Sequence, residues 1–314
     1  MIGQFGFVAL GLLILLLAGD VLVRGAVNLS LRLGIPALIV SLTIVAFGTS
    51  APELLISIKS VLDGVPGLAL GNVVGSNIAN VLMVLGVPAL ISGLDPPESD
   101  TRKSYLVMMV ASLLFVGLAA TGVFGFWQGL VLVAVMALVL ADQFREAYDH
   151  ASDGLDEIEE ADPEAPWWKI LIYLALGLVG LPLGANLLVD SATTIARHYG
   201  VTETIIGLTL VAVGTSLPEL ATTVMAAIRR HSEVAIGNVI GSNLFNLLAI
   251  IGVTSLVGPI PVGANFFHLD FWIMLAASAI LAPFVFLRLR MGRKVGTGLV
   301  VLYLVYVVFI LTWG

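Results

Sequence analysis

The chain has 314 residues, 59% of them hydrophobic and 11% charged, where an average soluble domain has about 45–50% and roughly 25%. Such a composition excludes a soluble globular or a disordered protein, and a net charge of −7 excludes a nucleic-acid binder, which needs basic surface to neutralise phosphates. With no cysteine there is no disulfide and no thiolate metal site, and an integral membrane protein remains.

Ten apolar stretches are predicted as membrane-spanning helices, each near the roughly 20 residues a span needs. They lie at 4–22, 35–60, 67–92, 104–121, 124–142, 169–190, 203–228, 233–257, 266–287 and 295–313. The first is read as a span and not a cleaved signal peptide, because Met1–Ala9 holds no basic residue. Between the fifth and sixth, residues 143–168 carry nine of the 21 acidic residues. They lack the Asp-x-Asp-x-Asp-Gly pattern of a Ca²⁺ loop and read as a solvated linker. The connections after odd-numbered spans hold 12 of the 14 Lys and Arg; only Lys59 and Arg197 lie on the other side. By the positive-inside rule, the odd-to-even connections are cytoplasmic and both termini are outside.

Shifted by 166 residues, the sequence matches itself. Ser41–Gly86 against Gly207–Gly252 gives 20 identities in 46 ungapped positions. They gather in LTIVAFGTSAPEL (42–54) against LTLVAVGTSLPEL (208–220), and in GNVVGSNIANVL (71–82) against GNVIGSNLFNLL (237–248). The expected domains are therefore an N-terminal five-helix repeat at 1–142, the acidic linker at 143–168 and a C-terminal five-helix repeat at 169–314. Five is odd, so the second repeat enters the membrane from the opposite side. The expected fold class is an all-α membrane protein of two inverted five-helix repeats, an arrangement common among secondary transporters.

The identities fall on polar residues that lipid penalises. Glu53 and Glu219 lie near the middle of spans 2 and 7 with no Lys or Arg at comparable depth, where a charge costs about 2.5–3.5 kcal/mol. A shared divalent cation, or protons, would neutralise them. Pro52 and Pro218 precede the glutamates and oppose the carbonyls of Gly48 and Gly214, so helices 2 and 7 are expected to break there. The carbonyls near Ala46, Thr49, Ala212 and Thr215 then become candidate ligands. Asn72, Ser76, Asn77 and Asn80 on span 3, with Asn238, Ser242, Asn243 and Asn246 on span 8, add the oxygen that hard cations take. The absence of His and Cys from this set argues against Zn²⁺ and copper.

These two blocks resemble the signatures of the cation/Ca²⁺ exchanger superfamily, G-T-S-x-P-E and G-N-x-x-G-S-N-x-x-[ND], here at 48–53, 214–219, 71–80 and 237–246. The chain is most similar to the small prokaryotic sodium/calcium exchangers. The resemblance implies an antiporter that exchanges Na⁺ for Ca²⁺ by alternating access, in the inner membrane of a prokaryotic cell, with no enzyme activity, no cofactor and no obligate protein partner. It implies that Glu53 and Glu219 hold Ca²⁺ with the carbonyls of Thr49 and Thr215. The same glutamates would serve Na⁺ with Ser50, Ser76, Ser216, Ser242 and the carbonyls of Ala46 and Ala212, while Asn80 and Asn246 line the middle of the cavity. Several members, the potassium-dependent ones among them, carry Asp at the position of Asn246, so Asn here argues against K⁺ coupling. The proton-coupled branch usually has an acidic pattern in block two where this chain has Ser76–Asn77 and Ser242–Asn243, which favours Na⁺.

Spans 1 and 6, rich in glycine (Gly11, Gly19 and Gly25; Gly177, Gly180 and Gly184), are the expected moving elements. The rival functions are an H⁺/Ca²⁺ antiporter, a cation channel and, from another class, a membrane-embedded hydrolase. The last lacks a paired nucleophile and base: His150, His198, His231 and His268 lie in loops or at span ends, and Asp20 and Asp190 pair with none of them by spacing.

Overall fold

The computed structural model describes residues 2–97, 99–150, 165–200 and 212–313, and most of them are helical. In chain order the elements are α1 (Ile2–Leu33), α2 (Ala37–Thr49), α3 (Ala51–Leu62), α4 (Pro66–Ile91), α5 (Arg102–Ala119), β1 (Val123–Phe124), α6 (Phe126–His150), α7 (Trp167–His198), α8 (Ala212–Thr215), α9 (Leu217–Ile228), α10 (Ser232–Val257), β2 (Ile260–Pro261), α11 (Phe266–Phe286) and α12 (Arg293–Trp313). Among the described residues eight helices are long and apolar enough to cross a bilayer, and α2 with α3 makes a ninth span bent by 42°. The seventh stretch expected from sequence is described only as α8 and α9, since 201–211 lie outside the described residues. The expected linker is trimmed at both ends: α6 runs on to His150 and α7 begins at Trp167, with 151–164 outside the described residues.

The breaks fall where proline requires them. Pro52 and Pro218 are second in α3 and α9, where their missing N–H costs nothing. The residues ahead, Ser50 (φ −87°, ψ 2°) and Ser216 (φ −90°, ψ 5°), occupy the same non-helical bridge conformation. The turns that follow α3 and α9 also match. Each contains a left-handed residue, Gly64 (φ 76°) in one and Arg230 (φ 60°) in the other, a conformation that only glycine takes freely. Sequence periodicity gave no sign of the π turns at Ser41–Val45, Asn80–Val84, Phe245–Ile250 and Phe266–Asp270.

The helices α4 and α10 occupy the centre: 78% and 94% of their apolar windows are buried within the protein, against 17–39% for the other long helices. One apolar cluster joins α4, α5, α10, α11 and their neighbours; a second is built mainly by α1 and α7. In that second cluster Gly11 and Gly184 bring the backbones together. A methyl group on Gly11 would meet Leu188 N at 2.8 Å, and one on Gly184 would meet Leu15 N at 2.9 Å.

Contacts at the two ends of the bundle join connections from both halves. At one end β1 pairs antiparallel with β2, Val123 with Pro261 and Phe124 with Ile260. Val61, near the end of α3, abuts Gly258 there. At the other end Leu94 and Met291 exchange backbone hydrogen bonds of 3.0 and 2.9 Å. On that same side Ser99 donates its N–H and hydroxyl to Glu233 at 2.6 Å, and Lys103 pairs with Asp142 and Glu146. These contacts link even-to-odd connections with each other, and odd-to-even connections with each other. The two sides are called below the β-ladder face and, after the residue that follows α9, the Arg229 face.

Candidate cation site

Glu53 and Glu219 fall in the first turns of α3 and α9. The unsatisfied N–H groups and dipole of a helix start favour a carboxylate there and offset part of its burial cost. Ser50 and Ser216 hold the N-cap positions, yet neither caps its own helix. Ser50 Oγ donates across the halves to Glu219 Oε1 at 3.0 Å.

Several bonds come in pairs related by the 166-residue offset. Thr49 Oγ1 donates to Asn238 Oδ1 at 3.4 Å, and Thr215 Oγ1 to Asn72 Oδ1 at 3.5 Å. Asn77 Nδ2 meets Met274 Sδ at 3.9 Å, and Asn243 Nδ2 meets Met108 Sδ at 3.8 Å. Each bond has one end in each half. The backbone repeats the pattern: Leu85 N–H reaches Asn80 O and Ile251 N–H reaches Asn246 O, closing equivalent π turns, a feature that recurs at functional sites. Asn80 Nδ2 also donates to Asn243 Oδ1 at 3.1 Å.

Several oxygens of the repeated blocks are left over. Glu53 Oε2, Glu219 Oε2, Asn77 Oδ1, Asn80 Oδ1, Ser216 Oγ, Ser242 Oγ and Asn246 Oδ1 are buried without a hydrogen-bond partner. At about 1–3 kcal/mol for each unsatisfied group, such a set costs roughly as much as the 5–15 kcal/mol that holds a domain folded. All seven are hard oxygen donors on α3, α4, α9 and α10 or, for Ser216, at the N-cap of α9, and a hard cation is the partner their chemistry shares. Among the described residues no three His, Cys, Asp or Glu side chains converge, so hydroxyls, carboxamides and carbonyls must complete any coordination shell around the two glutamates.

Of the side chains expected from sequence, Glu53, Glu219, Thr49, Thr215, Ser50, Ser76, Ser216, Ser242, Asn80 and Asn246 are all buried, none above 9% exposed. Direct bonds join Ser50 to Glu219, and Thr49 and Thr215 to the opposite half; no such bond reaches Ser216, Ser242 or the Asn246 carboxamide oxygen. The Ala46 carbonyl already accepts Ser50 N–H at 3.0 Å and the Thr49 hydroxyl at 3.3 Å. Ala212 begins α8. Sequence reasoning missed Met108 and Met274, which lie outside the aligned blocks. Their shared offset of 166 was the available signal.

The family model described as sodium/calcium exchanger protein matches the chain in two stretches, residues 3–145 and 169–312. The chain is 30% identical over 341 aligned residues to sodium/calcium exchanger MaX1 of Methanosarcina acetivorans, covering 97% of each. It is 32% identical over 292 residues to inner membrane protein YrbG of Escherichia coli, covering 91% of this chain and 90% of the relative. A solved structure of the sodium-calcium exchanger NCX_Mj, soaked with 2.5 mM Na⁺ and 1 mM Sr²⁺, superposes with a TM-score of 0.84 at 30% identity, covering 97% of both chains.

Proposed function

The chain belongs to the sodium/calcium exchanger protein family, and from its place there as a membrane Na⁺/Ca²⁺ antiporter we propose how it works: both ions use one midplane site, open alternately to the two sides. Glu53 and Glu219 hold Ca²⁺ with the carbonyls of Thr49 and Thr215. Na⁺ uses the same glutamates with Ser50, Ser76, Ser216, Ser242 and the carbonyls of Ala46 and Ala212. Asn80 and Asn246 line the space between. Coupling follows from exclusivity, because an ion that needs both carboxylates leaves none for its competitor. The observation that carries this reading is the group of seven buried, unpartnered oxygens, one on each glutamate and five on neighbouring Ser and Asn side chains of the repeated blocks.

In this proposal the chain has ten spans, as inverted repeats at 1–142 and 169–314 joined by the acidic linker 143–168. Both termini face outward across the inner membrane of a prokaryotic cell. The doubled family match and the bonds paired at an offset of 166 support the repeats. Connections of like parity touching at each face support the alternation of spans. The test is ⁴⁵Ca²⁺ uptake into proteoliposomes with an outward gradient of Na⁺, K⁺ or H⁺ imposed separately. Uptake driven by Na⁺ alone is expected; uptake driven by a pH gradient without Na⁺ would transfer the protein to proton coupling.

A further inference from the structure

Asn72 of α4 and Asn238 of α10 hold equivalent places in the two halves, and each accepts a threonine hydroxyl from the other half. Their amide nitrogens behave differently. Asn238 Nδ2 donates to Thr223 Oγ1 at 3.1 Å and to the Glu219 carbonyl at 3.4 Å, fastening α10 to α9 one turn beyond the glutamate. Asn238 and Thr223 are fully buried. Moved back by 166 residues, the same trio is Asn72, Ser57 and Glu53. There the bond is not made: Asn72 Nδ2 and Ser57 Oγ are both shielded from solvent without a partner. A donor and an acceptor stand unused at the place where their counterparts are joined.

The two trios lie toward opposite faces. Thr223 sits between Glu219 and Arg229, on the Arg229 side of the site. Ser57 sits between Glu53 and Val61, and Val61 abuts Gly258 beside β2. The fastened trio is therefore on the Arg229 face and the open one on the β-ladder face. Ser50 continues the asymmetry, since it binds Glu219 while Ser216 leaves Glu53 without the equivalent bond.

We infer that Asn72 and Asn238 are positioning residues that set which face of the site is open. The Asn238–Thr223 bond seals the Arg229 face in the state described here. The Asn72–Ser57 bond forms, and seals the β-ladder face, when the site turns over and the first bond breaks. One bond is made and one unmade in each state, so the two states differ little in free energy, as a two-state element requires. The inference rests on the alternating-access reading above and assigns it a pair of alternating closures.

The test uses Na⁺-dependent Ca²⁺ uptake in right-side-out and everted membrane vesicles, so that the apparent KM for Ca²⁺ is read on each face. Thr223→Val removes the made bond and is expected to lower the KM on the Arg229 face about fivefold, the weight of one hydrogen bond, while raising it on the β-ladder face. Ser57→Ala removes the bond of the opposite state and is expected to raise the KM on the Arg229 face. Thr223→Ser keeps the hydroxyl and is expected to keep the wild-type ratio of the two constants. If Thr223→Val and Ser57→Ala move the Arg229-face constant in the same direction, if the ratio stays fixed, or if Thr223→Ser behaves like Thr223→Val, the inference is overturned. Should Thr223→Val fail to fold, Ser57→Ala and Thr223→Ser decide the matter. Wild-type Ca²⁺ flux at channel rates without any counter-ion would instead bring down alternating access itself.

Discussion

Among the described residues Glu53 and Glu219 are the only carboxylates in the group of unpartnered oxygens, so in the proposed site each would supply half of the formal charge that offsets Ca²⁺. Glu53→Gln or Glu219→Gln keeps the shape and one carbonyl oxygen but removes that charge. An ion pair in a partly wet cavity is worth several kcal/mol, and about 1.4 kcal/mol is tenfold in affinity. Either variant is expected to weaken Ca²⁺ binding on the order of a hundredfold or more while remaining folded, as read by calorimetric titration of the purified protein; near-wild-type affinity in either would dismiss the shared site. A second residue concerns stability alone. Arg230 holds the left-handed conformation that Gly64 holds in the equivalent turn. Arg230→Gly relieves a strain of about 1–2 kcal/mol, less the added freedom of the unfolded chain. A higher midpoint of thermal unfolding in detergent is expected, with transport unchanged; a lower midpoint would contradict the strain argument.

Among elements, α1 is fastened to the end of α9 by charge. Asp20 grips Arg229, the pair being largely buried, and reaches Arg24 Nε at 3.2 Å. Asp20→Asn is expected to cost about 1–2 kcal/mol of stability, between the values for exposed and buried ion pairs. Arg24→Gln, altering a half-exposed partner, should cost less than about 0.5 kcal/mol. Urea unfolding of both variants checks the order, and a larger loss at Arg24 would reverse it. Asp20 shows what sequence makes legible and what it hides. Its place near the end of the first apolar stretch is plain in the sequence; its partner, 209 residues away, is not. The two glutamates stood out because a charge at bilayer depth is costly and here occurs twice in matched surroundings. The breaks at Ser50 and Ser216 followed from the chemistry of Pro52 and Pro218. The π turns had no such signal, because one extra residue in a turn is decided by packing against neighbouring helices and not by the local sequence. Ser57 and Thr223 were passed over for a related reason: they are equivalent but not identical, and a comparison by identity skips them.

Over the whole molecule, the acidic stretch 143–168 is the part that the sequence reads as a linker between the two repeats. If that reading holds, replacing residues 151–164 by a flexible linker of similar length is expected to leave Na⁺-driven Ca²⁺ uptake within about twofold of wild type, since a tether contributes reach and not contacts. Loss of uptake in a folded variant would give that segment a function. The ends of the bundle carry a mechanical consequence. β1 with β2 joins the halves at one face, and Leu94 with Met291 joins them at the other, so each half is tied to its mate at both poles. A body tied at both poles has lost the degree of freedom needed to rock as two rigid shells. If the site opens alternately as proposed, the motion left to it is shear, with the α1–α7 pair, packed in its own apolar cluster, sliding along a frame that stays closed. Because the chain has no cysteine, a disulfide between Leu94→Cys and Met291→Cys would lock one pole without competing thiols, and hydrogen-bonded antiparallel partners lie about 5.5 Å apart, within disulfide reach. A molecule that works by shear keeps exchanging ions when so locked; one that rocks stops, and recovers when the disulfide is reduced.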